Sequence, residues 1–176
     1  IHRRYNSFLR KRHYEMALKL LFYMHRGRVN MTSDIKTKLD ELGIKLDSPA
    51  VPAGNYVPVL VINDMAYVSG QLPLIRGAIE LTGQVGGSVS VKEAREQARL
   101  CAISILRHVS TVSDSLKNVK RVIKLGGFVT SAPEFTEQPR VIDSASELMM
   151  ALFEDSGKHT RFAVGVSALP LGAVVE

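Results

Sequence analysis

Cysteine is almost absent from this chain: one residue, Cys101, stands among 176. A lone thiol closes no internal disulfide and builds no multi-cysteine metal site, which fits a reducing compartment and an expected cytoplasmic location. Long apolar runs are missing too. No stretch reaches the roughly 18 residues that a membrane span needs, so no spanning helix is expected. No His, Cys, Asp or Glu spacing resembles a metal site. There is no GxxxxGK[ST] phosphate cradle and no GxSxG nucleophile elbow. The expectation is therefore no metal and no other cofactor.

Positive charge is present, but in one place. The chain carries a formal +6, and residues 1–30 hold eight Lys or Arg against one acid, Glu15, or +7. That leaves 15 bases and 16 acids, or −1, for the remainder. A surface that binds a nucleic-acid backbone shows a basic stripe on the fold itself, so nucleic acid is not an expected partner of the core. Residues 1–30 read as a basic amphipathic extension, with Tyr5, Leu9, Met16, Leu20 and Tyr23 on one face of a helix that ends near Gly27. It has no small-residue cleavage pattern of a secretory signal. Two readings stand: a segment that meets an anionic membrane or nucleic acid, or a translated leader ahead of a natural start at Met31. Residues 31–176, with ordinary hydrophobic and charged fractions, form one expected domain. On that division a chain beginning at Met31 keeps the oligomeric mass of the full one.

Within that domain, strand and helix signals succeed one another. Ile35, Leu39 and Leu42 are spaced for a short helix that Gly43 caps. Tyr56 to Ile62 and Met65 to Ser69 flank Asn63-Asp64 as a β-hairpin, and Gly70 then permits close approach of a backbone or ligand. Gly77 to Val89 is a glycine-rich surface loop with a short strand at most. Ser90 and Glu93 make a capping box for a long helix whose stripe (Ala94, Ala98, Cys101, Ala102, Ile105, Leu106, Val109) faces a sheet. Cys101 lies inside that stripe and reads as a small core hydrophobe rather than a nucleophile, since no nearby cation would lower its pKa. Val119 to Thr130 is the next strand, with Gly126-Gly127 marking a bulge or tight bend. A second helix follows, from about Val141 to Glu154, burying Ile142, Ala145, Leu148, Met149 and Leu152.

The last eighteen residues, HTRFAVGVSALPLGAVVE, carry the sharpest signal. Arg161, Ala163, Gly165 and Ser167 alternate with Phe162, Val164, Val166 and Ala168; Leu169-Pro170 breaks the run, and Ala173 to Glu176 resumes it as a second strand. Arg161 and Glu176 frame this pair, and neither side chain enters a core without a partner. The order becomes ββ-α-β-α-ββ, an α+β domain with two helices on one face of a mixed sheet.

An Arg, a strand, Leu-Pro and a strand carrying Glu fifteen positions on (176 − 161) resemble the C-terminal signature of the Rid family. These are the reactive intermediate deaminases, or YjgF-type proteins, also called endoribonuclease L-PSP or translation initiation inhibitor. A second match is Tyr56-Val57-Pro58, thirteen residues (69 − 56) ahead of Ser69-Gly70-Gln71. The likeness runs from about Met31 to Glu176, and the stretch GFVTSAPEFTEQPRVIDSASEL from Gly127 to Leu148 is similar to the long-form bacterial subgroup.

The resemblance implies a chorismate-mutase-like (YjgF/RidA-type) fold and a homotrimer around a small barrel. It implies a cofactor-free hydrolase that deaminates small 2-imino or enamine acids to 2-keto acids and ammonia in inter-subunit clefts. Arg161 would grip the substrate carboxylate bidentately, and Glu176 would position and activate water and return a proton as ammonia leaves. Tyr56 would close the pocket, with Ser69 and Gly70 as donors to the carboxylate. Each has a plainer reading: Arg161 paired with a core acid, Glu176 a solvated acid, Tyr56 core or interface padding, His159 a solvated loop residue. Two positions depart from the family pattern. The family continues its strand several residues past the position of Glu176, and Ala163 stands where many members have Cys. The rivals are a non-enzymatic protein that binds a small carboxylate, as sensor or partner module, and an endoribonuclease or translation inhibitor.

If the leader holds all the excess charge, any RNA affinity should vanish when the eight cations of residues 1–30 are neutralised, and should fall steeply with salt. Filter binding at two ionic strengths checks this; salt-resistant binding by the neutralised protein would favour the nuclease.

Overall fold

The structure, a computed structural model, describes residues 20–24, 35–50 and 54–176. Its spine is β6, Val119–Thr130, the strand expected at those residues. Val119, Val122, Leu125 and Val129 on this strand are buried, the apolar positions that a covered sheet requires. β7, Thr160–Val166, runs parallel to it, with Arg161 opposite Leu125 and Ala163 opposite Gly127. On the other edge lies β1, Leu20–Met24, antiparallel to β6, then β3, Met65–Val68, and β2, Val59–Ile62. The order is β2-β3-β1-β6-β7, a mixed five-stranded sheet. Beside it sits a small antiparallel pair, β4, Leu74–Ile75, and β5, Ala78–Ile79, inside the stretch read as loop and short strand.

Local chemistry starts and stops these elements. α1, Ile35–Glu41, ends in a Schellman motif: the Ile44 amide donates to the Leu39 carbonyl and the Gly43 amide to that of Asp40, with Gly43 at φ +66°. Asn63 and Asp64 both take positive φ, the turn that joins β2 to β3 without splaying the strands. α2, Val91–Ser110, opens with the expected capping box between Ser90 and Glu93, and all seven residues of its expected stripe are buried. α3, Gln138–Phe153, begins slightly earlier than expected, with Pro139 in its first turn, and buries the five expected residues.

Three expectations are corrected. Leu20–Met24, expected within the amphipathic helix, is instead the strand between β3 and β6; the rest of residues 1–30 lies outside the described residues. Phe22 and Met24 are buried while Tyr23 between them is exposed, a period of two. The facing edges of β3 and β6 offer unpaired backbone groups, and satisfying them outweighs a helical pattern in a short segment. The sheet thus takes a strand from before Met31. Second, residues 173–176 form isolated pairings instead of a full strand. The 3₁₀ turn at Pro170–Gly172 precedes them, and the Thr130 carbonyl accepts from the Val85 amide while the Thr130 amide donates to the Val174 carbonyl. Third, Gly126 and Gly127 make no bulge against β7, whose register is unbroken there. They make room instead: a Cβ on Gly126 would meet the Phe162 ring, and one on Gly127 would meet Ile142 of α3.

Phe22 is fully buried, with its ring edge-on to Phe153 at 6.4 Å. Phe22→Ala should cost about 3–5 kcal/mol in urea unfolding. A chain beginning at Met31, lacking β1, should be less stable than the full chain; equal midpoints would show that β1 adds nothing.

Candidate functional site

Glu176 reaches its place through backbone pairing. Its N–H donates to the Phe128 carbonyl (3.0 Å) and its carbonyl accepts from the Phe128 N–H (2.9 Å). Since β7 fills the opposite edge of β6, Glu176 lies in the lane that β1 occupies farther along. Its carboxylate rests against Gly70, where any Cβ would collide with it, so the close approach expected at that glycine is to Glu176. Among the described residues no hydrogen bond or ion pair reaches this carboxylate, and burial pushes its pKa up from the ordinary 4.5.

Behind Glu176, a cavity of about 20 Å³ opens among Ala98, Cys101, Ile142, Ala145 and Val175. That is room for about one water. Cys101 donates toward the Val175 carbonyl (3.5 Å), and burial, seconded by the nearby Glu176 charge, pushes its thiol far up. It is the inert core residue expected from the sequence.

Ser69 leaves β3 beside the mouth of the β2/β3 hairpin, its hydroxyl donating to the Val57 carbonyl (2.9 Å). Tyr56, next to Val57, is 51% exposed, so within one chain it closes no pocket. Ser69, Gly70 and Glu176 therefore gather at one end of the sheet with Tyr56 at its rim.

Arg161 is elsewhere. It projects from β7 to α3, where Nη1 donates to Asp143 Oδ1 (2.8 Å) and Ser146 Oγ (3.0 Å). In the strand order β1 and β6 separate β7, which carries Arg161, from β3, which Ser69 follows. The acid opposite Arg161 is Asp143, not Glu176, and both contacts use one guanidinium nitrogen. The Nε–Nη2 edge makes no hydrogen bond among the described residues.

The sequence reading missed two features. His159 is not a free loop residue: its Nε2 is 3.0 Å from Ser146 Oγ and its Nδ1 is 2.6 Å from the Gly157 carbonyl. The signal was faint, a Gly-x-His-x-Arg run facing Asp143-x-x-Ser146 at helical spacing. The second is a cavity of about 490 Å³ at the ends of β6 and β7, lined by Gln84, Ser131, Phe135, Gln138 and Ser167. Among the described residues no group of His, Cys, Asp and Glu could hold a metal ion. No helix among them is long and apolar enough to cross a membrane.

A mixed sheet covered by helices, with a carboxylate unpaired among the described residues and an arginine engaged through one nitrogen at a separate point, defines a small α+β protein. The chain belongs to the YjgF (Rid) family: the family model "YjgF/chorismate_mutase-like, putative endoribonuclease" matches residues 36–175. Protein TCP17 of Trypanosoma cruzi is 44% identical over 143 residues, covering 81% of this chain and 89% of that protein. The crystal structure of Atu1372 from Agrobacterium tumefaciens shares 44% identity, with a TM-score of 0.72 over 80% of this chain and 86% of that one. The YjgF gene product of Escherichia coli shares the fold, with a TM-score of 0.53 at 19% identity over 75% and 90%.

Because the folded protein holds the Glu176 proton to higher pH than the unfolded chain does, it binds more protons in the window above pH 4.5. Stability contributed by the protonated form is therefore lost as pH rises through that window. Glu176→Gln should flatten this dependence, so that its Tm advantage over wild type grows from pH 4.5 toward neutrality. A constant difference across that range would remove the burial argument.

Proposed function

We propose that the protein hydrolyses small 2-imino and enamine acids to 2-keto acids and ammonia, in clefts between the subunits of a homotrimer. The observation that carries this reading is the state of Glu176: a carboxylate raised by burial, unpaired among the described residues, and seated against Gly70. A base with a raised pKa is matched to taking a proton from water near neutral pH. The separation of Arg161 from Ser69 and Gly70 supports a cleft between copies, in which one subunit's arginine faces another's glutamate. The open sheet face supports such assembly, since Tyr23, Leu60, Ile62 and Val164 leave an apolar surface uncovered.

In this mechanism the free edge of Arg161 takes the substrate carboxylate by two parallel hydrogen bonds. Ser69 and the Gly70 amide add donors, and Tyr56 covers the cleft. The imine reacts in its protonated form: Glu176 accepts a proton as water adds to the C=N carbon, forming a neutral carbinolamine. It then returns that proton to the nitrogen; as the C–N bond breaks and ammonia leaves, Glu176 takes the hydroxyl proton, so the carbonyl of the 2-keto acid forms, and the departing ammonia carries that proton away as ammonium. An enamine first tautomerises to the imine.

Arg161→Ala should abolish binding of a 2-keto acid product, a loss of about 2–5 kcal/mol for a desolvated bidentate pair. Glu176→Gln should leave that binding nearly intact and lower turnover of an enzymatically generated imino acid by roughly 10²–10⁴. Calorimetry and ammonia release read the two. Binding through Arg161 with no ammonia above background would make the protein a carboxylate-binding sensor instead, and wild-type turnover by Glu176→Gln would take the base role away from it.

A further inference from the structure

We infer that Ser146 and His159 are positioning residues for Arg161, a hydrogen-bonded relay that aims its free edge at a substrate carboxylate. This rests on the carboxylate-binding reading of Arg161 given above. The chain of contacts runs from the turn before β7 to the guanidinium: Gly157 carbonyl to His159 Nδ1, 2.6 Å; His159 Nε2 to Ser146 Oγ, 3.0 Å; Ser146 Oγ to Arg161 Nη1, 3.0 Å.

The protons can be assigned from the groups at the two ends. A backbone carbonyl only accepts, so Nδ1 carries the hydrogen. Arg161 only donates, so Ser146 Oγ accepts from it. Nε2 then accepts a hydrogen bond from the Ser146 hydroxyl, and every donor has an acceptor. A hydroxyl that donates while it accepts is polarised, which strengthens its hold on the arginine. Gly157 anchors the far end: it is buried, and a Cβ there would run into the Met149 carbonyl of α3.

The same geometry has the look of a nucleophile with its base, and burial decides against that reading. Ser146 is 8% exposed and its oxygen already accepts from a guanidinium, so it has neither access to a substrate nor a free lone pair aimed outward. Asp143 supplies the second hold on the same nitrogen at 2.8 Å. Two acceptors on Nη1 fix the guanidinium plane, and what remains is the Nε–Nη2 edge, the pair that a carboxylate fits in parallel. Asp143 provides charge, whereas the relay provides direction.

The test measures binding of 2-oxobutanoate by calorimetry, together with KM and kcat for ammonia release, in full-length protein. His159→Ala and Ser146→Ala should each weaken binding and raise KM by about 3- to 10-fold, one hydrogen bond's worth, with kcat changed less than about twofold. His159→Gln, whose side-chain oxygen can accept from Ser146, should recover most of the affinity. In an Arg161→Ala background, adding His159→Ala should change nothing further, because both act through one group. His159 sits at the entry of β7, so its variants remain informative if Ser146→Ala does not fold. If Arg161→Ala abolishes binding while His159→Ala binds as wild type, the relay is overturned and the carboxylate reading stands. If His159→Ala lowers Tm without moving KM, its role is structural only and the inference fails. If Arg161→Ala binds as wild type, both fall together.

Discussion

A strand buried in a sheet has two edges, and every N–H and C=O along both must find a partner. β6 is twelve residues long, and the way its edges are filled determines the rest of the molecule. β7 takes one edge in parallel register, which brings Arg161 beside Leu125 and under α3. The other edge is shared between β1 and the pairing of Phe128 with Glu176. Arg161 and Glu176 are thus both placed by their register with one strand, and a slip of one residue in either would turn its side chain to the other face.

The two charged groups are treated in opposite ways. Arg161 is held at one nitrogen by an acid and a hydroxyl, so its cost of partial burial is met before any ligand arrives. Glu176 has no such compensation among the described residues, and burial raises its pKa. In the mechanism proposed above, the Arg161 edge that makes no hydrogen bond among the described residues serves ground-state binding, and the carboxylate of Glu176 serves proton transfer. The other ion pairs at Lys38, Arg95, Arg107, Arg140 and Lys158 have an exposed acid or base as partner and act as surface pairs of small net effect.

Wherever a structure depends on neighbours within a few residues, the sequence was readable. The Schellman stop at Gly43, the positive-φ pair Asn63-Asp64 and the Ser90–Glu93 box each satisfy backbone groups locally, and each is where its residues indicate. The stripes of α2 and α3 were readable because helical periodicity reports which face is covered, whatever covers it. Arg161, Glu176 and Gly70 stood out as residues that need an explanation, a charge in an apolar run and a glycine after a strand.

Tertiary structure alone decided the rest. Leu20–Met24 has spacings that serve a helix or a strand, and the unpaired edges of β3 and β6, distant in sequence, selected the strand. Residues 173–176 form isolated pairings with Thr82 and Val129, partners that no local pattern connects to them. His159 reads as a loop histidine until α3 brings Ser146 beneath it. By itself the sequence determined the three helices, the buried stripes of α2 and α3, the β2/β3 hairpin, the strands β6 and β7 and the identity of the charged residues, because those follow from periodicity and short-range hydrogen bonding. Which edges pair, which acid meets Arg161 and which hydroxyl meets His159 required the folded chain, because each is a contact between groups that only long-range packing brings within hydrogen-bond reach.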